Sequence, residues 1–195
     1  MPYDYTDAPP PQFDLVPHGT VATVVLHIRA GNVGEDGLLK RSKNGDCEML
    51  DCEFTVADGP YKGRKFWEYW VLEGTTPGHA QVADTNRGTL KAILDSALGL
   101  KPDDASPQAR AARTVSLKQL EGITFIAKIG IEKGGAKKDG SGDWPDKNIL
   151  AGVITPDRKE WHPVEQPPPF NSGGAPSTAT PPSFTPPIAR PGWAS

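Results

Sequence analysis

The chain has 195 residues and a formal net charge of −3, with 21 Lys and Arg against 24 Asp and Glu. This length is typical of one domain with short appendages, and the near-neutral charge excludes a basic field over the whole surface, so binding to a nucleic acid would depend on local clusters of cations. No apolar run is long enough to span a bilayer and the N-terminal residues do not resemble a signal peptide, so we expect no membrane association and a cytoplasmic location.

The 21 prolines are concentrated at the two ends of the chain, which divides it into three parts. Residues 1–17 are expected to form a flexible Pro-rich arm, residues 18–164 a single folded domain, and residues 165–195 a disordered Pro-rich tail. The tail is rich in Pro, Ser, Thr and Gly and has too few apolar residues to bury a core. Its isolated Phe and Trp residues suit capture by a partner, although a passive solubilising tail explains them equally well.

Two strands are predicted in the first third of the domain. Residues 19–29 and residues 47–57 both alternate between core-forming and polar side chains. The core-facing residues are expected to be Ala22, Val24, Leu26 and Ile28 in the first strand and Leu50, Cys52, Phe54 and Val56 in the second. The intervening residues 30–46 are rich in glycine and charge, and they predict a long mobile loop that carries Lys40, Arg41 and Lys43.

A basic turn at residues 58–63 leads to a third predicted strand at residues 64–72, which is rich in aromatic residues. One face of this strand holds Phe66, Glu68, Trp70 and Leu72, and the other holds Lys65, Trp67, Tyr69 and Val71. The first face is favoured as the buried one because Lys65 should not enter the core, although Glu68 then needs a partner or a place at the rim of the fold. The opposite choice stays open.

The remaining elements are one main helix and two strands. The helix is expected to begin near Asp84 or Thr85, which could cap it, and to end at Gly99, with an apolar stripe made of Leu90, Ile93, Leu94, Ala97 and Leu98. Residues 101–115 are expected to be partly helical, and residues 116–121 to form a short helical turn. Strands follow at residues 123–132 and 147–155, and the second long loop between them carries Lys137, Lys138 and Trp144.

This order of elements predicts a mainly β fold, a five-stranded OB-fold-like Greek-key barrel with a helix between strands 3 and 4. In such barrels the binding face consists of strands 2 and 3 together with the loops that join strands 1 to 2 and 4 to 5. Here those two loops are the long ones that contain glycine and lysine. The aromatic strand and both basic loops are therefore expected to lie on one face.

Cations next to flat aromatic rings are what a single-stranded nucleic acid requires, because the cations neutralise phosphates and the rings stack on bases. The candidate nucleic-acid-binding residues are Lys40, Arg41, Lys43, Lys62, Arg64, Lys65, Trp67, Tyr69, Lys137, Lys138 and Trp144. Each group also has a simpler interpretation: an aromatic strand often serves only the core, and charged glycine-rich loops are usually solvated surface.

Catalysis and metal binding find little support in the sequence. Asp51 and Glu53 share a strand face near Lys65, which could suggest a metal-dependent nuclease, but carboxylates on solvent-facing strands are commonplace. Cys47 and Cys52 lie on opposite faces of the predicted strand, and the histidines have no paired spacing that would complete a zinc site. We expect no catalytic residues, no metal, no cofactor and no enzymatic activity.

Several short runs give the domain a family resemblance. The runs are SKNG at residues 42–45, FTV at 54–56, DGPYKGRK at 58–65, KNI at 147–149 and TPD at 155–157. Residues 18–157 are similar to phage and prophage OB-fold single-stranded-DNA-binding proteins, a group formerly classed as a domain of unknown function and typically encoded beside replication and recombination genes. The resemblance places the family's basic-aromatic hairpin at Lys43, Lys62, Arg64, Lys65 and Trp67.

The resemblance implies a non-enzymatic protein that coats and protects single-stranded DNA, without sequence specificity, in the cytoplasm of a phage-infected or lysogenic bacterium. The tail departs from bacterial single-strand binders, which end in an acidic, phenylalanine-terminated peptide, so recruitment of phage replication or recombination proteins through it is a separate hypothesis. A rival function is a protein–protein interaction module, an adaptor or inhibitor, that uses the same barrel face. Homo-oligomerisation and a choice between DNA and RNA both stay open.

Overall fold

A computed structural model of the chain describes residues 15–166, so the predicted flexible arm, apart from its last residues, and nearly all of the predicted disordered tail lie outside the described residues. Nine elements follow one another in this range. They are β1 (Thr20–Arg29), β2 (Leu39–Arg41), β3 (Cys47–Val56), β4 (Lys65–Gly74), α1 (Pro77–Leu98), α2 (Pro107–Ala112), α3 (Leu117–Leu120), β5 (Thr124–Glu132) and β6 (Lys147–Val153). No helix in the described range is both long enough and apolar enough to cross a bilayer.

All six strands belong to one antiparallel sheet. One side of β3 pairs with β4, and its other side pairs with β1 at residues 51–56 and with β2 at residues 48–50. The other side of β1 pairs with β5, and β5 pairs with β6. β4 and β6 are therefore the two edges of an open sheet. The prediction of a mainly β fold is confirmed, whereas the sheet has six strands rather than five and strand pairing does not close it into a barrel.

The extra strand, β2, lies in the segment that the sequence predicted as a mobile loop. Leu39 pairs with Leu50 of β3, and it also forms a bridge with Val33 that folds the segment back on itself. Leu38 and Leu39 pack against the core, and this apolar pair draws an otherwise polar segment onto the sheet. The prediction of a mobile loop was therefore wrong for Lys40 and Arg41, which are strand residues.

The core lies on one face of the sheet, where the predicted apolar alternation is confirmed. Phe54 of β3 is fully buried at its centre. Its ring lies 5.0 Å from the ring of Phe66 and 5.4 Å from that of Trp70, both on β4, and 6.3 Å from that of Phe125 on β5. Burying one such aromatic side chain stabilises the fold by roughly 1.5–3 kcal/mol, so this cluster links three strands of the sheet.

Helix α1 begins earlier than the sequence predicted. Thr76 caps it by accepting a hydrogen bond from the backbone N–H of His79, and Pro77 supplies the preset φ of a first helical residue. The predicted end at Gly99 is confirmed, because this glycine adopts the left-handed conformation with φ 68°. Leu98 was wrongly placed in the apolar stripe: it is about half exposed. The predicted helical segments after α1 are confirmed as α2 and α3.

The C-terminal half of α1 is tied to the rest of the domain by polar contacts. Asp95 is fully buried and accepts hydrogen bonds from Arg113 Nε at 2.6 Å and from Lys91 Nζ at 2.8 Å. Trp161 donates its indole N–H to the carbonyl of Ser96, and the amide of Gln166 bonds both the N–H and the carbonyl of Thr124. The segment after β6 therefore folds back over α1 and the start of β5.

Candidate nucleic-acid interface

The two faces of β4 have opposite environments. Phe66 and Trp70 are 3% and 4% exposed, whereas Trp67 and Tyr69 are 46% and 57% exposed. The prediction that the face with Phe66 and Trp70 is buried is confirmed. Because side chains two residues apart project on the same side of a strand, Trp67 and Tyr69 form a pair of adjacent exposed rings, which we call the aromatic platform.

Glu68 lies between these two rings in sequence but points to the other side of the sheet. Its Oε2 accepts a hydrogen bond from Trp70 Nε1 at 2.7 Å, and its Oε1 accepts one from the backbone N–H of Leu150 at 2.5 Å. Leu150 belongs to β6, the opposite edge of the sheet, so this carboxylate spans the gap between the edge strands. An inward Glu68 was expected to need a polar partner, and it has two: the indole of Trp70 on its own strand and the backbone of β6.

The indole N–H of Trp67 is hydrogen-bonded to a carboxylate. Its Nε1 donates to Glu53 Oε2 at 3.0 Å, and Lys65 Nζ lies 2.5 Å from the other oxygen of the same carboxylate. Glu53 is the residue opposite Trp67 on β3, so strand register brings the two together. The hydrogen bond from Lys65, followed by that from Trp67, lowers the pKa of Glu53, which therefore stays ionised and keeps both partners in place.

Tyr69 is flanked by a cation from the extra strand. Lys40 Nζ lies 5.0 Å from the centre of the Tyr69 ring, within the range of a cation–π contact, and 3.5 Å from Asp51 Oδ2. Asp51 is the residue opposite Tyr69 on β3, and its second oxygen lies 3.3 Å from Arg29 Nε. One nearly buried carboxylate therefore contacts two cations, of which Lys40 lies beside the exposed tyrosine ring.

Charge is balanced within this face. The basic residues next to the platform pair with carboxylates: Arg29 and Lys40 with Asp51, Lys65 with Glu53, and Arg41 with Glu48. Asp51 and Glu53, which suggested a nuclease pair, are engaged by basic side chains and an indole. The platform thus combines open aromatic surface with cations that are already partly neutralised.

The turns at the ends of these strands carry further cations. Lys62 and Arg64 lie in the β3–β4 turn, where Gly59 and Gly63 both have positive φ, and Lys43 lies in the β2–β3 turn. None of these three is part of an ion pair between residues 15 and 166. They are therefore better placed than the paired cations to meet an incoming anion.

The β5–β6 loop holds the remaining predicted residues, Lys137, Lys138 and Trp144. Trp144 is 61% exposed, and Lys137 Nζ lies 5.2 Å from its ring centre. A bridge between residues 136 and 143 closes the loop, and Asp146 accepts from Lys133 Nζ at 2.6 Å and from the N–H of Gly134 at 3.0 Å. Among the described residues, no hydrogen bond or ring contact joins this loop to the aromatic platform, so the loop is a separate cation–aromatic pair.

Sequence reasoning missed two features of this region. It did not identify the carboxylates that orient Trp67 and Lys40, because cross-strand register decides those contacts. It also missed a group of potential metal ligands in which His79, from a later part of the sequence, joins the adjacent residues Asp46 and Cys47. No periodicity or short motif connects these three residues, and only the folded chain brings them together.

No family model, no curated protein and no solved structure matches this chain. The likeness to phage single-stranded-DNA-binding proteins therefore rests on the short runs quoted above.

Proposed function

We propose that this chain is a phage-type single-stranded-DNA-binding protein, which coats exposed strands during replication or recombination without catalysing a reaction. The observation that carries the proposal is the aromatic platform. Trp67 and Tyr69 expose about half of their surface on one sheet face. Lys40 lies beside the Tyr69 ring, and Lys65 shares the Glu53 carboxylate with the Trp67 indole. Exposed aromatic rings next to lysines match the two needs of single-strand binding, stacking and phosphate neutralisation.

The spacing of the platform favours a single strand over a duplex. Residues two apart on a strand are separated by about 6.6 Å, whereas successive bases in one duplex strand are about 3.4 Å apart. Two neighbouring bases could occupy both rings only if they are pulled apart, which an unpaired strand permits. Each stacked base contributes about 1–3 kcal/mol, so the platform supplies substantial affinity without reading sequence.

The connectivity of the sheet supports an OB-fold-like barrel. Strands β1, β3 and β4 follow one another as neighbours, and β5 returns after the helices to lie beside β1, which is a Greek-key arrangement. The main helix lies between β4 and β5, as in the predicted order. We interpret the gap between β4 and β6, spanned by Glu68, as the incomplete seam of such a barrel, and β2 as an addition to it.

The charge balance of the face favours one other candidate, a protein–protein interaction module. Protein interfaces are enriched in Trp, Tyr and Arg and have few unpaired charges at their centre. The platform supplies a Trp and a Tyr, and the lysines beside it pair with Asp51 and Glu53. A partner protein could therefore use the same rings that a single strand would use.

Salt dependence distinguishes the two candidates. Fluorescence anisotropy with labelled oligo-dT, measured at about 50 and 200 mM salt, should show binding that weakens with a log–log slope of about 0.7 per phosphate neutralised. The double substitution K62A/R64A should reduce this slope, and K118A/K159A is the matched control with two exposed lysines away from the platform. Duplex and oligo-U competitors establish strand and sugar preference. Absence of binding at low salt, or a slope of zero, would contradict the proposal.

A further inference from the structure

Three segments meet at the end of the sheet opposite the β3–β4 turn. They are the β2–β3 turn with the first residue of β3, the end of β4, and the first turn of α1. The N–H of Thr75 donates to the carbonyl of Asp46 at 3.0 Å, and Cys47 pairs with Gly74 across the strands. His79 is in the first turn of α1, where its N–H is bonded by the Thr76 cap. This corner lies outside the aromatic platform.

Three side chains in this corner could act as metal ligands. One ligand atom each from Asp46, Cys47 and His79, an oxygen, a sulfur and a nitrogen, lie within 4.8 Å of one another. Cys47 is buried, whereas Asp46 and His79 are partly exposed. Ligands of a four-coordinate zinc ion are about 3.3–3.6 Å apart, from bond lengths of about 2.0–2.3 Å. Because 4.8 Å is the upper limit of the observed separations, each would have to shorten by at most about 1.5 Å, which rotation of the partly exposed side chains can supply.

The nitrogen of this group lacks a partner. His79 Nδ1 is shielded from solvent and forms no hydrogen bond with any residue between 15 and 166. Buried polar atoms of side chains are nearly always hydrogen-bonded, so an unpartnered ring nitrogen beside a thiol and a carboxylate calls for a ligand. Gly74 makes room for the imidazole, because a Cβ atom at this position would lie 2.9 Å from Nδ1 and closer still to the His79 Cβ.

We propose that Asp46, Cys47 and His79 form a zinc site with one coordination position open to solvent. A set of one thiolate, one imidazole and one carboxylate suits a borderline-soft ion that accepts tetrahedral geometry, whereas magnesium and calcium prefer oxygen ligands alone. Binding releases the thiol proton of Cys47 to solvent, the neutral imidazole contributes a lone pair, and the metal stays divalent.

The surroundings of Asp46 agree with such a role. Ser42 Oγ donates a hydrogen bond to Asp46 Oδ1 at 2.5 Å, and this bond is the main cause that lowers the pKa of the carboxyl. Ligating carboxylates are commonly oriented by such outer hydrogen bonds. The ion would connect the β2–β3 turn, which carries Lys43, to the first turn of α1, and its binding does not depend on DNA binding.

Cobalt substitution tests the site in the full chain. After treatment with a chelator, titration with Co²⁺ should give a thiolate-to-cobalt charge-transfer band that saturates at one equivalent, and Zn²⁺ should abolish the band and raise Tm. H79A and D46N should weaken Zn²⁺ binding by more than about tenfold, since even outer-shell changes cost that much, and C47S should remove the band. Circular dichroism verifies that each variant is folded.

Two substitutions serve as controls. H162A removes an exposed histidine, and C52A removes the other thiol, which is buried in the core and whose pKa is raised by that burial. Both should keep the band. The proposal is overturned if the unsubstituted chain shows neither the band nor a rise in Tm with Zn²⁺, or if H79A binds Zn²⁺ as tightly as the parent. The measurement on the parent needs no variant to fold.

Discussion

Glu68 is expected to contribute more to stability than any other partly exposed carboxylate of the sheet. It is the side chain that links the two edge strands, through the bonds to Trp70 Nε1 at 2.7 Å and to the N–H of Leu150 at 2.5 Å. We therefore predict that Glu68→Ala lowers the free energy of unfolding while Glu73→Ala, on the same strand but exposed, does not.

The magnitude follows from the donors left behind. A buried donor that loses its partner costs about 1–3 kcal/mol, and Glu68→Ala leaves two such donors, so the expected loss is about 2–6 kcal/mol. Glu68→Gln keeps one acceptor oxygen and turns an N–H₂ group toward the other donor, so it should cost about half as much. Glu73 faces Glu48 across the strands, and its removal relieves a like-charge contact.

Urea denaturation followed by circular dichroism measures these differences. The variants should keep the m-value of the parent and differ in midpoint, with the order Glu73→Ala, Glu68→Gln, Glu68→Ala from most to least stable. A loss below about 0.5 kcal/mol for Glu68→Ala, the range of ordinary surface substitutions, would refute the idea that this carboxylate holds the seam between β4 and β6.

Two further predictions concern other charged contacts. The pKa of Glu53, measured by NMR titration, should lie below its ordinary value of 4.5 and should rise in Lys65→Met. A lowered pKa in the folded state stabilises the protein above pH 4.5, and this stabilisation is lost as pH falls through the folded-state pKa. It amounts to about 1 kcal/mol at most, because the pair is exposed. An unchanged Glu53 pKa in Lys65→Met would contradict the assigned contact. Asp95→Ala should cost about 3–5 kcal/mol in thermal or urea unfolding, because it leaves the largely buried guanidinium of Arg113 without its carboxylate partner. Asp84→Ala breaks an exposed pair on the same helix and should cost less than about 0.5 kcal/mol. Equal losses for the two variants would contradict a stabilising role of the buried Asp95 carboxylate.

The strand faces could be predicted from the sequence because they depend on a local period of two. Leu50, Cys52, Phe54 and Val56 all point into the core as expected, and the rule against burying Lys65 correctly chose the face of β4. The end of α1 was predictable for a similar reason, since a glycine after an apolar helical stripe is a local signal.

The errors arose where distant contacts decide the structure. β2 has only three residues, and it forms because Leu39 pairs with Leu50 and packs on the core, which no local pattern indicates. The first turns of α1 are polar and include Gly78 and Gly88, so they lack the apolar period from which its start was judged.

The aromatic platform was largely predictable, and its electrostatics were not. Alternation along β4 placed Trp67 and Tyr69 together, because it depends on one strand alone. The pairing of Lys65 with Glu53 and of Lys40 with Asp51 depends on how strands align with their neighbours, and that register is a property of the whole sheet. The sequence therefore indicated free cations where the structure has ion pairs.

Binding of labelled oligo-dT by the double variant W67A/Y69A tests the central claim most directly. Both rings are exposed and outside the core, so the variant should unfold at a temperature close to that of the parent, while its affinity falls by at least about 2 kcal/mol, roughly 30-fold, with the salt slope retained. W144A distinguishes the platform from the β5–β6 loop. Unchanged affinity in the folded double variant would contradict the claim that these rings stack on bases.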